Sequence, residues 1–143
     1  MIRNFCLCAV LLILGCDKHS DYRIHSADLV GIWKVNFVQL EHPSPVLETT
    51  IDTISSSGTL TFFEDGTGNI INEPNLYSPT LSDPLSPFSF VWKIDHSQII
   101  LTFPNGDTTV YHFDLNVDGV RAVVRINAPA SEPRIAAYLE KQF

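Results

Sequence analysis

Phe88-Ser89-Phe90-Val91-Trp92-Lys93-Ile94 is followed by Ile99-Ile100-Leu101-Thr102-Phe103, then Val110-Tyr111-His112-Phe113-Asp114-Leu115, then Val120-Arg121-Ala122-Val123-Val124-Arg125-Ile126. In each stretch bulky apolar residues recur at every second position, the period of a strand with one face buried. The punctuation between them is Asp95-His96-Ser97-Gln98, Pro104-Asn105-Gly106-Asp107 and Asn116-Val117-Asp118-Gly119. Asn, Asp and Gly supply the backbone angles of tight turns. Turns at roughly 8–12-residue spacing mark a sandwich or barrel, and successive hairpins make it an antiparallel meander.

The same period extends upstream. Trp33, Val35 and Phe37 alternate with Lys34 and Asn36, and Leu47, Thr49, Ile51 and Thr53 alternate more weakly. Leu60 and Phe62 run into Glu64-Asp65-Gly66-Thr67-Gly68, where Asp-Gly reads as a hairpin, and Asn69 to Asn72 returns. The expected inward set is Trp33, Val35, Phe37, Leu60, Phe62, Phe88, Phe90, Trp92, Ile94, Ile99, Leu101, Phe103, Tyr111, Phe113 and Leu115. It either lines an apolar pocket or fills the space outright, since an eight-stranded barrel is just wide enough for both. Within it, Trp33, Phe37, Phe62, Phe90, Trp92, Phe103, Tyr111 and Phe113 are the candidate ligand-binding residues.

Glu73–Pro87 breaks the pattern. Pro74, Pro79, Pro84 and Pro87 remove ladder donors, so the segment reads as a long solvated loop. It lies at a barrel rim as a candidate lid, with Leu76, Tyr77 and Leu81 as its apolar points. The tail is ambiguous: Ile135, Tyr138, Leu139 and Gln142 have helical spacing, whereas Ala137 and Leu139 alternate as a closing strand would.

Composition sets the outer limits. The chain has 143 residues, enough for one domain after removal of a leader. A net charge of −7 argues against a non-specific nucleic-acid surface. Apolar residues at 45% against 17% charged exclude wholesale disorder.

The N-terminus gives an address. Arg3 precedes an apolar run from Phe5 to Leu14, too short for a spanning helix of about 20 residues but right for the core of a secretory signal. The run ends at Gly15-Cys16, with Asp17-Lys18-His19-Ser20-Asp21 next. Ile13-Leu14-Gly15-Cys16 resembles the lipobox of bacterial lipoproteins. That resemblance implies cleavage before Cys16, a lipid thioether on its sulfur and an acylated amino group, palmitate being such an acyl chain. It divides the chain into a signal peptide over 1–15, a lipidated tether over 16–27 and a β domain over 28–143. Cys6, Cys8 and Cys16 are the only cysteines. A chain cleaved before Cys16 has no thiol left for a disulfide, a zinc site or a nucleophile.

Gly31-Ile32-Trp33 after Asp28-Leu29-Val30, the Asp65-Gly66-Thr67 hairpin, Val91-Trp92-Lys93-Ile94 and the closing Tyr138-Leu139-Glu140-Lys141 together resemble the small lipocalin-like domains of bacterial lipoproteins. The resemblance implies an all-β fold, an antiparallel meander closing into a barrel of about eight strands. It also implies a Trp plugging one end and a strand at the tail. In lipocalins an Arg of the last strand commonly packs over that Trp, and here Lys141 and Arg134 are the candidates.

Chemistry-bearing patterns are sparse. Asp114-Leu115-Asn116-Val117-Asp118-Gly119 matches the first half of a calcium loop, but Arg125 stands where a bidentate Glu is needed, so the stretch reads as a hairpin. His19, His25, His42, His96 and His112 lack metal-ligand spacing. There is no Gly-x-Ser-x-Gly elbow and no Gly-rich phosphate loop. Arg121 and Arg125 share a strand face and, with Lys93, are a candidate basic spot.

The expectation is therefore a non-enzymatic barrel at the bacterial cell envelope, on the outer membrane ahead of the inner. It has no cofactor, metal or nucleic-acid partner. It is held on the membrane through acylated Cys16 and binds a small apolar ligand or an envelope protein. The alternative is a solid barrel serving as a structural or interaction module.

Overall fold

The computed structural model describes residues 23–44, 46, 48–77, 87–126 and 132–143. The leader, Cys16 and His19 lie outside the described residues. A short helix, α1 (Ser26–Leu29), precedes nine strands: β1 (Gly31–His42), β2 (Thr50–Ser55), β3 (Thr59–Phe62), β4 (Thr67–Ile71), β5 (Phe88–Asp95), β6 (Gln98–Thr102), β7 (Thr108–Leu115), β8 (Arg121–Ile126) and β9 (Arg134–Gln142). All pair antiparallel in the order β2-β1-β3-β4-β5-β6-β7-β8-β9, and β1 also pairs with β9. That last pairing closes β1 and β3 to β9 into an eight-stranded barrel and leaves β2 as an additional strand outside the ring. The tail is a strand, because β9 supplies the ladder that both β1 and β8 need.

The expected turns fall where the polar clusters lie. Asp65-Gly66 makes the β3–β4 hairpin with Gly66 at φ 84°, and the Asp65 carboxylate holds the Thr67 N–H (2.9 Å). β2 and β3 both pair with β1, on successive parts of one edge. β2 meets Phe37 to His42 and β3 meets Gly31 to Lys34. The weak alternation around Leu47 to Thr53 corresponds to β2, whose residues are all exposed.

One irregularity decides which side chains enter the core. The β1–β9 register slips between Val35 and Phe37, so Asn36 is an extra residue. A bulge shifts the inside–outside phase by one residue. Trp33 and Val35 are buried before it, Val38 is buried after it, and Leu40 packs against the core. Phe37, expected inside, instead stacks on the outward Tyr138 (centroids 4.3 Å, planes 19°). The other expected core positions on β3 and β5 to β7 are buried or pack against the core, joined by Ala122, Val124, Ile126, Ile135, Ala137 and Leu139.

The helix end of the barrel carries α1 and the β3–β4, β5–β6 and β7–β8 hairpins. Leu29 is buried there, and the Trp33 indole N–H donates to its carbonyl (2.8 Å). Ile24 is also buried, so the barrel's packing reaches back into the segment read as tether. Of the two candidate cations, Lys141 covers Trp33. Its Nζ lies 5.3 Å from the ring centroid and donates to the Asp28 carbonyl (2.9 Å). Gly31, the first residue of β1, has φ 134°, a conformation that side chains rarely adopt, and Lys141 Cε occupies the space a Cβ there would approach (2.9 Å). Arg134 is far from this site in the ladder and faces Glu41 (3.8 Å).

Truncating a buried Trp typically costs about 3–5 kcal/mol. Trp33→Ala should lose that much in urea unfolding. Phe37→Ala removes a surface ring pair worth about 0.5–1.5 kcal/mol beyond its area and should cost clearly less. Equal losses would contradict the bulged phase of β1.

Candidate functional site

The barrel interior is the site picked out in the sequence, and its rings meet one another. β3 and β7 lie opposite each other in the eight-membered ring, yet Phe62 and Phe113 are 6.5 Å apart at their centroids, planes at 82°. Trp33 meets Phe113 edge-on (5.2 Å), and Phe62 meets Phe90 (5.7 Å) and Trp92 (5.5 Å) the same way. Phe90 continues to Phe103 (6.1 Å). Edge-to-face contact is the favoured arrangement for aromatic pairs. Trp33, Phe62, Phe90, Phe103, Tyr111 and Phe113 are buried. Trp92 is half-buried, and its indole N–H donates to the Thr67 carbonyl (2.9 Å). Of the candidate ligand-binding residues, only Phe37 is left outside this cluster.

The far end of the barrel is closed by residues the sequence placed in a solvated lid. Pro74–Leu76 is a 3-10 turn, and Leu76 is fully buried. The turn begins at Pro74 because a first-turn proline forfeits no helical donor. The Tyr111 hydroxyl donates to the Leu76 carbonyl inside the core. Burial first, and the Glu73 charge second, raise that hydroxyl well above its ordinary pKa, so it stays a donor. Tyr77 stacks on Phe88 (4.7 Å) and meets Phe103 edge-on (4.4 Å). Its hydroxyl donates to Asp107 (2.7 Å) and accepts from Asn105 (2.9 Å), tying the plug to the β6–β7 hairpin.

Glu73 makes the second tie. It is 4% exposed, accepts from the Ser56 hydroxyl and takes an amide N–H of Asn75 (2.8 Å). The Ser56 oxygen in turn accepts from the Gly58 N–H (3.0 Å). The carboxylate thus fastens the plug to the β2–β3 junction with each of its oxygens hydrogen-bonded, as a buried polar group requires. The lid expectation is therefore corrected over 73–77: an apolar pair, Leu76-Tyr77, inside a Pro-rich polar stretch was the signal for a plug. Leu81 lies outside the described residues.

Elsewhere, among the described residues, the buried Asn69 Oδ1 has no hydrogen-bond partner, and several carboxylates are engaged. Asp118 accepts from the N–H groups of Val120 (2.9 Å) and Arg121 (3.1 Å) and from the Arg121 guanidinium (2.9 and 2.7 Å). The backbone bond from Val120 and the Arg121 side chain hold its pKa down, to about 2. Asp114 pairs with Arg125. The calcium-like stretch is thus a hairpin whose carboxylates serve the β7–β8 turn, and the same pairs engage Arg121 and Arg125, two of the three cations of the candidate basic spot. His96 pairs with Asp95 (2.6 Å) and His42 with Asp52 (3.1 Å), all exposed. Among the described residues no three His, Cys, Asp or Glu converge on a metal-sized site. None of their helices is long and apolar enough to cross a membrane.

Among the described residues, hollows on the outside include these two. One, about 390 Å³, runs over β4 to β6 beside Phe63, Asn69, Val91 and Pro104. The other, about 440 Å³, lies at the β1–β9 rim among Glu41, Ile51, Arg125 and Arg134. No protein-family model matches the sequence, and no curated protein matches it either.

If 73–77 is a plug, Leu76→Ala should cost about 2–5 kcal/mol in chemical unfolding, the range for a buried Leu. Tyr111→Phe should cost about 1 kcal/mol by orphaning the Leu76 carbonyl. A solvated lid would leave both midpoints unchanged.

Proposed function

We propose that this protein is a lipid-anchored, non-enzymatic β-barrel of the bacterial cell envelope that works through its outer surface, as a structural or protein-interaction module. The observation that carries the reading is the Phe62–Phe113 contact between opposite walls. A ligand held inside the barrel needs an interior hollow of about 300 Å³ or more. Here Leu29 and Leu76, both fully buried, stand at the two ends of an interior already occupied by rings. The apolar residues expected to hold a ligand serve instead as the core of a barrel too small to spare them.

Kinship with lipocalin-like lipoprotein domains is supported by the closed eight-stranded ring and by Gly31 and Trp33 at its helix end, with Lys141 over the indole. The anchor rests on Ile13-Leu14-Gly15-Cys16. Two or more acyl chains hold a protein stably on a bilayer, whereas one holds it only marginally. From Cys16 to Ile24 the chain reaches at most about 3.3–3.6 Å per residue. The helix end is thus the membrane-proximal end, and the Leu76 plug faces away, toward partners. The outer membrane is the favoured location.

Two measurements test this reading on protein purified from membranes. Intact mass should show acyl chains on Cys16 and no stoichiometric non-covalent lipid, and Cys16→Ala should leave the membrane fraction or remain uncleaved. A copurified apolar ligand at one per barrel would overturn the surface-module reading. Normal membrane retention of Cys16→Ala would overturn the anchor.

A further inference from the structure

β2 ends the hydrogen-bonded order. One of its edges pairs with β1, and no described residue pairs with the other. Unpaired edges are normally blunted by a Lys, a Pro, a bulge or a covering element. Thr50-Ile51-Asp52-Thr53-Ile54-Ser55 has no Lys and no Pro, its register with β1 is unbroken, and all six residues are exposed. Its one charge, Asp52, is in hydrogen-bond contact with the His42 ring (3.1 Å). Thr and Ile are favoured in strands, so the segment is built to pair.

The parity of the ladder tells which groups the free edge presents. The Ser56 N–H donates to the Asn36 carbonyl (3.2 Å), and those two residues continue the Phe37↔Ser55 register. Hydrogen-bonded and non-hydrogen-bonded pairs alternate in an antiparallel ladder. Thr50, Asp52 and Ile54 therefore turn their main-chain groups toward β1. Ile51, Thr53 and Ser55 turn theirs outward.

We infer that this edge takes the same edge of a second copy of the chain, antiparallel, about a two-fold axis at Thr53. A two-fold axis normal to a sheet sets residues of equal parity opposite each other, and here the odd-numbered residues carry the outward groups. Centred on Thr53, Ile51 faces Ser55, Thr53 faces Thr53 and Asp52 faces Ile54. Every outward N–H and C=O from Ile51 to Ser55 is then paired, and no charge faces its like. Centring on Asp52 would put the two carboxylates opposite each other, which is unfavourable. Centring on Ile54 would leave Ile51 beyond the end of the partner strand. The edge is thus self-complementary in one register, which singles out a second copy over an unrelated extended peptide. A six-residue edge is small beside a standard interface of about 1,600 Å², so the dimer is concentration-dependent rather than obligate.

The described core begins at Ile24, so a chain beginning at Asp17 keeps all of it and carries no native thiol. Sedimentation from low micromolar to millimolar concentration should show the mass rising to that of a dimer. Over the same range the Ile51, Thr53 and Ser55 amides should gain protection from hydrogen exchange. Directly opposed residues of a hydrogen-bonded antiparallel pair lie about 5.5 Å apart at Cα, within the span of a disulfide. Thr53→Cys should therefore oxidise to a linked dimer much faster than Ile54→Cys. Thr53→Lys, which sets two ammonium groups opposite each other, should weaken association by about tenfold or more. A monomer at every concentration, a dimer indifferent to Thr53→Lys, or equal linking of the two cysteine variants would overturn the inference. So would a monomer whose edge amides gain protection only when an extended peptide of another sequence is added.

Discussion

Phe62 and Phe113 touch across the barrel axis, and most of the architecture follows from that contact. An eight-stranded barrel has room either for its own side chains or for one small ligand, and here the side chains take it. Once rings from opposite walls meet, the remaining inward positions must interdigitate around them. Trp33, Phe90 and Trp92 do so edge-on, each within the same aromatic cluster. A core built this way still has two open ends. Each is stopped by one fully buried Leu delivered by a short helical turn: Leu29 from α1 and Leu76 from Pro74–Leu76. Polar groups hold both turns in place. The Trp33 indole and the Lys141 ammonium bond the carbonyls of Leu29 and Asp28, and the Tyr111 hydroxyl bonds that of Leu76.

Alternation made the strands and hairpins from Phe88 to Ile126 legible, because each has one face against the core and the other in water. The bulge at Asn36 was not legible. Trp33-Val35-Phe37 is an unbroken alternating run, and so is Val38 with Leu40, so either phase satisfies the pattern locally. Only the ladder to β9, about a hundred residues away in sequence, selects a switch between them. The tail was ambiguous for a related reason: its propensities favour a helix, and the need of two strand edges for a partner overrides them. The plug was hidden by its prolines. They do exclude a strand, but they also start a helical turn, and Glu73 reads as a surface charge until Ser56 and Asn75 are brought to it.

A filled interior moves the search for function to the outside. There the charged groups of β7 and β8 pair with each other, Asp114 with Arg125 and Asp118 with Arg121, so the acidic chain offers no concentrated field on that wall. What remains distinctive is the strand outside the ring. β2 is exposed on both faces and, among the described residues, paired along one edge only, a condition most sheet proteins avoid. A barrel that carries such an edge is better suited to assembly with neighbours than to capture of a small molecule in its interior.

The solid interior can be tested directly by through-space NMR on the chain from Asp17 with Phe rings selectively labelled. With centroids 6.5 Å apart and planes at 82°, ring protons of Phe62 and Phe113 should give strong mutual cross-peaks. Those peaks should be unchanged under xenon pressure, since no hollow between the rings is there to admit the gas. Absent cross-peaks, together with xenon-dependent shifts at Phe62, Trp33 and Phe113, would reveal a cavity along the axis and contradict the account.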